Sequence, residues 1–549
     1  MLETIKKAVI LGAGGGANFY IAKFLHLYGI NVVAYDQRKN SKTEELSKLG
    51  CAVIYSNPIS YNFPDSDVVI YTQALPTDIQ SLIRQENDVN KVHNSGVFYK
   101  MLIDAFEKGA WAKDEHALHA FTTSNIAPLM HINFHNCLLI GVTGSKGKTT
   151  TTNMLYQALT SLGVKTSLVS TLGARILDKG LETGLHTSTP SAQELAELFN
   201  TMLAVGSKVI VVEVSSHGIA TGRITGLKFD YGVITNIQPE HLDFHKDIAE
   251  VIAVKETLIT HYLKKTGKAI LNYDDENIRQ CVMPKVLKCL SDVNLITTQN
   301  LQTQANTLNV ESIKEDNGQT SFSLTDSTYT SHETYTIPFS GSFNIYNVIP
   351  TIVIAKALGF TYPNISKALC SLNVIAGRNE VVVDDKIKII LDFAHTAESL
   401  EAILQTYSTK KSGRLIVVFG CAGQRDPLKR VRMGEVAARY ADITILTAED
   451  PRTEELKSIN DQIETGYNKY VQGNTLTDTR QLYRFDNTTE NVKCRSDAIR
   501  KAIDVARAGD TIICAGKGPE KSMCFGTLEY AWDEKAEIIR LYASLKVNQ

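Results

Sequence analysis

The run Gly141-Val142-Thr143-Gly144-Ser145-Lys146-Gly147-Lys148-Thr149-Thr150 constrains the chain more than any other stretch. The apolar segment Cys137-Leu138-Leu139-Ile140 leads into it, and a helical pattern follows. A strand, a glycine turn and a helix in that order bring backbone N–H groups and a helix N-terminus to one point, which suits phosphate oxygens. Gly144, Ser145, Lys146 and Gly147 form the turn, Lys148 can reach β- and γ-phosphates, and Thr149 or Thr150 can hold Mg²⁺. The general G-x4-G-K-[ST] expression misses narrowly, because Val142 stands where its first glycine belongs.

The same style occurs twice more. Ala8-Val9-Ile10-Leu11 runs into Gly12-Ala13-Gly14-Gly15-Gly16-Ala17, with further runs at Val32-Val33-Ala34-Tyr35 and Val68-Val69-Ile70-Tyr71. A third series holds Lys388-Ile389-Ile390-Leu391-Asp392, Arg414 to Gly420, and Asp510 to Gly516. Strands alternating with helices predict parallel sheets, hence an α/β protein. We read three domains: a Rossmann-like domain over 1–115, a central P-loop ATPase-like domain over 116–376, and a Rossmann-like α/β domain over 377–549. The Thr-, Ser- and Asn-rich stretch Thr297–Ser340 reads as an antiparallel excursion or a long loop.

Composition narrows the function classes. At 549 residues there is room for three or four domains, and 43% hydrophobic with 21% charged residues excludes global disorder. The formal charge of −2 gives no strong global field for nucleic acid or an acidic membrane. No apolar run approaches the roughly 18 residues of a membrane span. The nine cysteines form no CxxC pair and read as reduced thiols, so a soluble cytoplasmic protein is expected. A monomer is expected as well, although no residue pattern fixes the oligomeric state.

The loop variant T-G-x-x-G-K-T-T resembles that of the Mur ligase family, the ATP-dependent amide-forming enzymes of peptidoglycan precursor synthesis. Downstream segments agree with it in order. Val212-Glu213-Val214-Ser215-Ser216-His217 resembles E-V-S-S-H, and Thr235 to His245 resembles T-N-L-x-x-D-H-L-D-Y-H. Phe343-Asn344-Ile345-Tyr346-Asn347 matches F-N-x-Y-N, and Asp392-Phe393-Ala394-His395-Thr396 resembles D-Y-A-H-T. The resemblance implies that ATP phosphorylates a substrate carboxylate and that an amine attacks the acyl phosphate. It implies Mg²⁺ as well as ATP. Glu213 closes an aliphatic run and so sits at a strand's C-terminal end, where open α/β sheets place ligands. By resemblance Glu213 is a magnesium ligand, His241 helps hold a second magnesium, and Lys255 is the lysine that many relatives carbamylate. Asn347, Arg378 and Asp392 fall where the family contacts ATP, with Asp392 expected on the ribose.

The first block cuts both ways. Gly12-x-Gly14-x-x-Ala17 with Asp36 fits a dinucleotide fingerprint. In Mur ligases that add L-alanine or D-glutamate a similar domain holds UDP, so Gly12, Gly14 and Gly15 would serve the diphosphate, and Asp36 or Arg38 the uridine. The remainder resembles tripeptide-forming ligases. Thr187-Ser188-Thr189-Pro190 resembles their T-T-P loop, and Ser215 and Arg223 fall in the segment gripping the UDP-muramoyl dipeptide. Gly420 to Asp426, with Arg425, resembles G-C-G-G-D-R-D. Glu449-Asp450-Pro451-Arg452 stands for D-N-P-R, and Ala515-Gly516-Lys517-Gly518-Pro519-Glu520 for A-G-K-G-H-E. Arg452 and Arg425 can take carboxylates of a diamino acid, and Glu520 with Asp450 its ammonium. The expectation is a ligase adding meso-diaminopimelate or lysine to UDP-N-acetylmuramoyl-L-alanyl-D-glutamate. The alternatives are a Mur-type ligase for a different amino acid or acceptor, such as L-alanine or glutamate, a scaffold on a retired ligase fold, and a NAD-dependent oxidoreductase.

Overall fold

The computed structural model describes residues 2–547 except 15, 59, 73, 74, 76, 109–113, 182–187, 242, 243, 300–305, 317, 327–332, 410, 411 and 474–479. Three large sheets follow one another along the chain. The first has five parallel strands in the order Ala52–Ile54, Asn31–Tyr35, Lys7–Leu11, Val68–Tyr71, Val92–Asn94.

The central sheet has eleven strands. Its parallel heart places Leu138–Thr143 between Phe229–Ile234 and Val209–Glu213. Val209–Glu213 is buried along its whole length, as a parallel strand covered on both faces must be. Chain order reverses on either side of Leu138–Thr143, which opens a crevice at the strands' C-terminal ends. The Thr297–Ser340 region resolves into antiparallel pairing. Asn306–Asp316 lies parallel to Val293–Thr297 but antiparallel to Gln319–Asp326, which in turn pairs with Thr334–Ile337. Alternation of Thr and Ser with Phe322, Leu324, Tyr335 and Ile337 buries one face and leaves the other polar.

In the third sheet Thr511–Ala515 lies between Lys388–Asp392 and Leu415–Phe419, followed by Ile443–Leu446 and Gln481–Arg484. Glu380–Asp384 adds an antiparallel edge. Apolar clusters cover both faces of this sheet. The core under the first sheet runs on into one face of the central sheet, from Phe24 and Phe121 to Leu139, Phe199 and Val212. The stacked rings of Phe106 and Phe121, 3.7 Å apart, belong to that seam. Among the described residues no helix is long and apolar enough to cross a membrane.

Candidate active site

The glycine loop is held open by the neighbouring strand end. Ser145 N–H donates to Asn236 O (2.8 Å) and Lys146 N–H to Asn236 Oδ1 (2.8 Å). Thr235 Oγ1 and Asn236 Nδ2 both donate to Lys146 O. Gly147 caps the helix Lys148–Ser161 with φ of 82°, and a methyl group there would lie 2.2 Å from Asn347 Oδ1. Both the conformation and the space demand glycine. Lys148 Nζ donates to Gly144 O (2.8 Å) and Ser145 O (3.0 Å), so its charge is curled over the loop. Thr150 lies in the first turn of the same helix.

Glu213 ends its strand 1% exposed. Its Oε1 accepts from Thr149 Oγ1 and Thr171 Oγ1, both at 3.0 Å, and its Oε2 from Thr171 N–H at 2.9 Å. Thr189 Oγ1 donates to the Glu213 carbonyl (3.0 Å) and accepts from Ser215 N–H (2.9 Å). Arg223 Nη1 donates to Thr189 O (2.7 Å), and Thr171 Oγ1, whose proton goes to Glu213, lies 2.8 Å from Ser188 Oγ. Ser188, Thr189, Ser215 and Arg223 therefore gather beside Glu213, while Thr187 lies outside the described residues. Thr171 was not singled out from sequence. Its only signal was its place just past the strand Thr166–Ser170.

Lys255 projects from the helix Ile248–Thr260 into the protein and is fully buried. Its Nζ lies 2.7 Å from Glu240 Oε1 and donates to Gly144 O at 2.9 Å. Burial lowers its pKa to about 8, against the pull of Glu240. Burial would raise the Glu240 carboxyl, but Lys255, Lys148 and His241 outweigh it and hold it well below the usual carboxylate range. Glu240 is thus a charge centre that sequence reading had quoted only as part of a motif. His241 has φ of 52°, and its ring stands 4.8 Å from that of His217. His217 stacks on Phe244 at 4.1 Å, and burial with two histidine neighbours keeps it neutral.

The third block reaches the loop through Arg378. Its Nη2 donates to Thr149 Oγ1 (3.1 Å), and its guanidinium lies 4.6 Å from the Phe393 ring centre. Asn379 N–H donates to Asp392 Oδ2 (2.7 Å). Burial pushes Asp392 up and Arg378 opposes it. Asn347 reaches the loop from the helix Phe343–Ala357.

At the C-terminal ends of the third sheet, Lys517 is 1% exposed and its Nζ lies 2.9 Å from Asp450 Oδ1 and 2.6 Å from Glu520 Oε2. The two carboxylates expected to hold a substrate ammonium already hold a lysine. Glu449 adds a third carboxylate whose Oε2 is buried without a hydrogen-bond partner, beside Gly516. Burial raises Glu449, and raises Glu520 to about 7 against Lys517. Three carboxylates around one lysine leave room for a further cation. Arg452 has φ of 54° and pairs with the hairpin Ser522–Phe525/Leu528–Ala531, donating N–H to Cys524 O (3.1 Å). Arg425 lies close enough for its charge to act on His217, which ties this face to the central block.

In the first block Asp36 is turned onto its own glycine loop. Gly14 N–H donates to Asp36 Oδ2 (2.7 Å) and Arg38 N–H to Oδ1 (2.9 Å). Gly12 N–H donates to Tyr35 O (2.8 Å). Gly15 lies outside the described residues.

Among the described residues no group of three or more His, Cys, Asp and Glu side chains could by itself hold a metal ion. The Glu213 carboxylate with the Thr149 hydroxyl is nevertheless a hard oxygen pair next to a phosphate loop, which fits Mg²⁺, an ion that keeps waters and phosphate oxygens as its other ligands. Lys255 as an ammonium does not fit a cation site; as a carbamate it would.

Residues 142–355 match the family model "Mur ligase middle domain", and residues 377–518 match "Mur ligase, glutamate ligase domain". A UDP-N-acetylmuramoyl-L-alanyl-D-glutamate–2,6-diaminopimelate ligase of Clostridioides difficile is 33% identical over 453 residues, covering 80% of this chain and 88% of that protein. The chain belongs to the Mur ligase family. A like-named ligase of Trichormus variabilis is 35% identical over 402 residues, 72% of this chain and 75% of its own length. Among solved structures, a UDP-N-acetylmuramoyl-L-alanyl-D-glutamate–2,6-diaminopimelate ligase superposes with a TM-score of 0.53 at 22% identity, covering 94% of this chain and 93% of its own. The MurF ligase of Thermotoga maritima, solved with ADP, superposes with 0.54 at 14% identity, covering 94% and 96%. These likenesses show that the fold is shared. Residues 1–141 lie outside both matches.

Proposed function

We propose that this Mur ligase uses ATP to join a diamino acid, meso-diaminopimelate or L-lysine, to UDP-N-acetylmuramoyl-L-alanyl-D-glutamate in peptidoglycan precursor synthesis. The carrying observation is the convergence of Thr149, Glu213 and Arg378 at the glycine loop, with the Ser188–Arg223 web on one side and the Asp450–Lys517–Glu520 cluster on the other. The relatives named as UDP-N-acetylmuramoyl-L-alanyl-D-glutamate–2,6-diaminopimelate ligases support it. We divide the work among residues 1–115 for UDP, 116–376 for ATP and 377–549 for the amino acid.

In this reading a substrate carboxylate oxygen attacks the γ-phosphorus and the bond to the ADP oxygen breaks. The amine nitrogen then attacks the acyl carbon, the bond to phosphate oxygen breaks, and the amine gives up a proton as the amide forms. Gly144 to Thr150 hold the triphosphate, Lys148 leaves its loop carbonyls for the phosphates, and Asn347, Arg378 and Asp392 hold the nucleotide. Thr149 and Glu213 would hold magnesium, which supplies charge neutralisation when bound. Burial leaves the Lys255 amine partly as free base near neutral pH, the form whose nitrogen attacks CO₂ and then gives up a proton. Carbamylation would turn it into an anion able to join His241 at a second magnesium. Ser188, Thr189, Ser215 and Arg223 hold the muramoyl peptide. Arg425 and Arg452 hold carboxylates of the amino acid, and Asp450, Glu520 and the Gly516 turn surround its ammonium. All these residues come from one chain, so a monomer suffices. Nine free thiols suit the reducing cytoplasm.

A phosphate-release assay with the UDP-muramoyl dipeptide and a panel of amino acids tests the reading. Turnover with meso-diaminopimelate or L-lysine is expected. Turnover only with L-alanine or glutamate, or only with another acceptor, would refute it. The added negative charge of Glu449-Asp450 beside Arg452 is the observation that favours such a different amino acid.

A further inference from the structure

Arg495 stands in the first turn of the helix Lys493–Val505, which packs on one face of the third sheet. Its side chain is fully buried, and so is that of Glu534. Arg495 Nε and Nη2 donate to the two oxygens of Glu534, at 2.5 and 2.7 Å. Two further bonds go to the backbone. Nη1 donates to Ala448 O and Nη2 to Ala515 O, both at 2.8 Å.

Those carbonyls belong to segments that the sheet itself keeps apart. Ala448 follows the strand Ile443–Leu446, Ala515 ends the strand Thr511–Ala515, and Leu415–Phe419 runs between the two. One guanidinium thus ties the chain on either side of the intervening strand. Just past each carbonyl come residues of the amino-acid pocket: Glu449, Asp450 and Arg452 after the first, Gly516, Lys517 and Glu520 after the second. Glu534 extends the tie to the neighbouring hairpin. Its Oε2 accepts from Trp532 Nε1 (3.0 Å), and Trp532 N–H donates to Lys521 O (2.9 Å) at the hairpin's base. From the same hairpin Cys524 N–H donates to Asp450 Oδ1 (3.0 Å).

A buried ion pair adds little net stability over apolar residues of similar volume. What it supplies here is geometry, because a planar fork fixes the spacing and direction of its acceptors and a flexible ammonium does not. Lys517 is unsuited to that task. It bridges Asp450 at 2.9 Å and Glu520 at 2.6 Å, and a substrate ammonium entering there competes with it for both carboxylates. A tie that persists while the pocket fills must use other atoms, and the Arg495 bonds do.

We propose that Arg495, held in plane by Glu534, is the positioning residue of the amino-acid pocket. It sets the distance between the Glu449–Arg452 segment and the Gly516–Glu520 turn, and so the length of amine substrate that can reach both. This rests on the ligase reading above, which says what fills the pocket.

The test uses the full chain with Arg495→Lys, which keeps the charge and loses the fork, beside Glu534→Gln and Trp532→Phe. In Arg495→Lys the KM for the amino acid should rise about tenfold or more, while those for ATP and the UDP substrate stay within about twofold. Glu534→Gln and Trp532→Phe leave the guanidinium in place and should raise the amino-acid KM about threefold, again alone. These two decide the matter if Arg495→Lys does not fold. An unchanged amino-acid KM in the folded variants would overturn the proposal. So would a lowered melting temperature with all three KM values rising together, since Arg495 would then serve the core only. Hydrogen exchange of substrate-free protein gives a readout independent of the reaction. Peptides covering 449–452 and 516–520 should exchange faster in Arg495→Lys, with 143–150 unchanged, and unchanged exchange in both segments would refute the tie. If the wild type turns over neither diamino acid, the ligase reading fails, and the exchange comparison still decides the role of Arg495.

Discussion

The Lys255–Glu240 pair allows a quantitative check on the centre of the site. The side chains are 0% and 7% exposed and 2.7 Å apart. At an effective dielectric of about 20, unit charges at that distance attract by about 6 kcal/mol, most of which offsets their desolvation. Deleting one partner strands the other, and Glu240→Gln or Lys255→Met should each cost about 3–5 kcal/mol of stability. The double variant leaves no stranded charge, so its cost should fall short of the sum by about 2 kcal/mol or more. Urea unfolding followed by circular dichroism, with all four proteins in one buffer purged of CO₂, measures the cycle. Costs that add within about 0.5 kcal/mol would mean that the two groups do not face each other in solution, and would remove the electrostatic account of this pocket. Repeating the cycle in bicarbonate adds a second readout. A carbamate would repel Glu240, so Glu240→Gln should then be much less damaging.

Arg452→Ala should raise the KM for the amino acid by about thirtyfold or more, the equivalent of about 2 kcal/mol, and leave the other two substrates alone; unchanged amino-acid KM would refute the carboxylate contact. Burial raises Glu520 to about 7, so its charge is lost as pH falls through that value. Affinity for a diamino acid, measured by calorimetry between pH 5.5 and 8.5, should therefore drop up to about tenfold per unit below 7 and level off above it, and a flat profile would deny Glu520 a part in binding the ammonium. Asp36→Ala removes the acceptor of Gly14 N–H and should raise the KM for the UDP substrate severalfold with ATP affinity unchanged; a shift confined to ATP would mean that the first block is misread.

What could be read in the sequence was whatever a strand end fixes locally. Glu213 and Asp392 terminate apolar runs, and both lie at the C-terminal ends of strands. The glycine loop was legible because Gly144 to Thr149 are consecutive in the chain, although Thr235, Asn236 and Asn347, which pack against it, are not. Lys255 was placed by resemblance alone, because nothing in its helical spacing marks a buried lysine. The partners that come from elsewhere were not legible. Thr171 meets Glu213 across two adjacent strands, Glu240 meets Lys255 only once the helix Ile248–Thr260 packs down, and Lys517 lies between carboxylates 67 residues before it and three after it. The Thr297–Ser340 stretch was ambiguous because one polar face and frequent Thr suit a loop as well as a half-buried hairpin.

Gly377 has φ of 61°, and a methyl group on it would lie 2.3 Å from the backbone nitrogen of Pro519. The residue at the junction of the central and C-terminal blocks is thus pressed against the loop that carries Glu520. For anyone recombining ligases of this kind, the joint at 377 and the loop at 516–520 form a single inherited part. A chimera that takes its C-terminal half from a relative with a different residue at 519 must take the matching junction with it, or the new half will be set at a wrong angle before any substrate arrives.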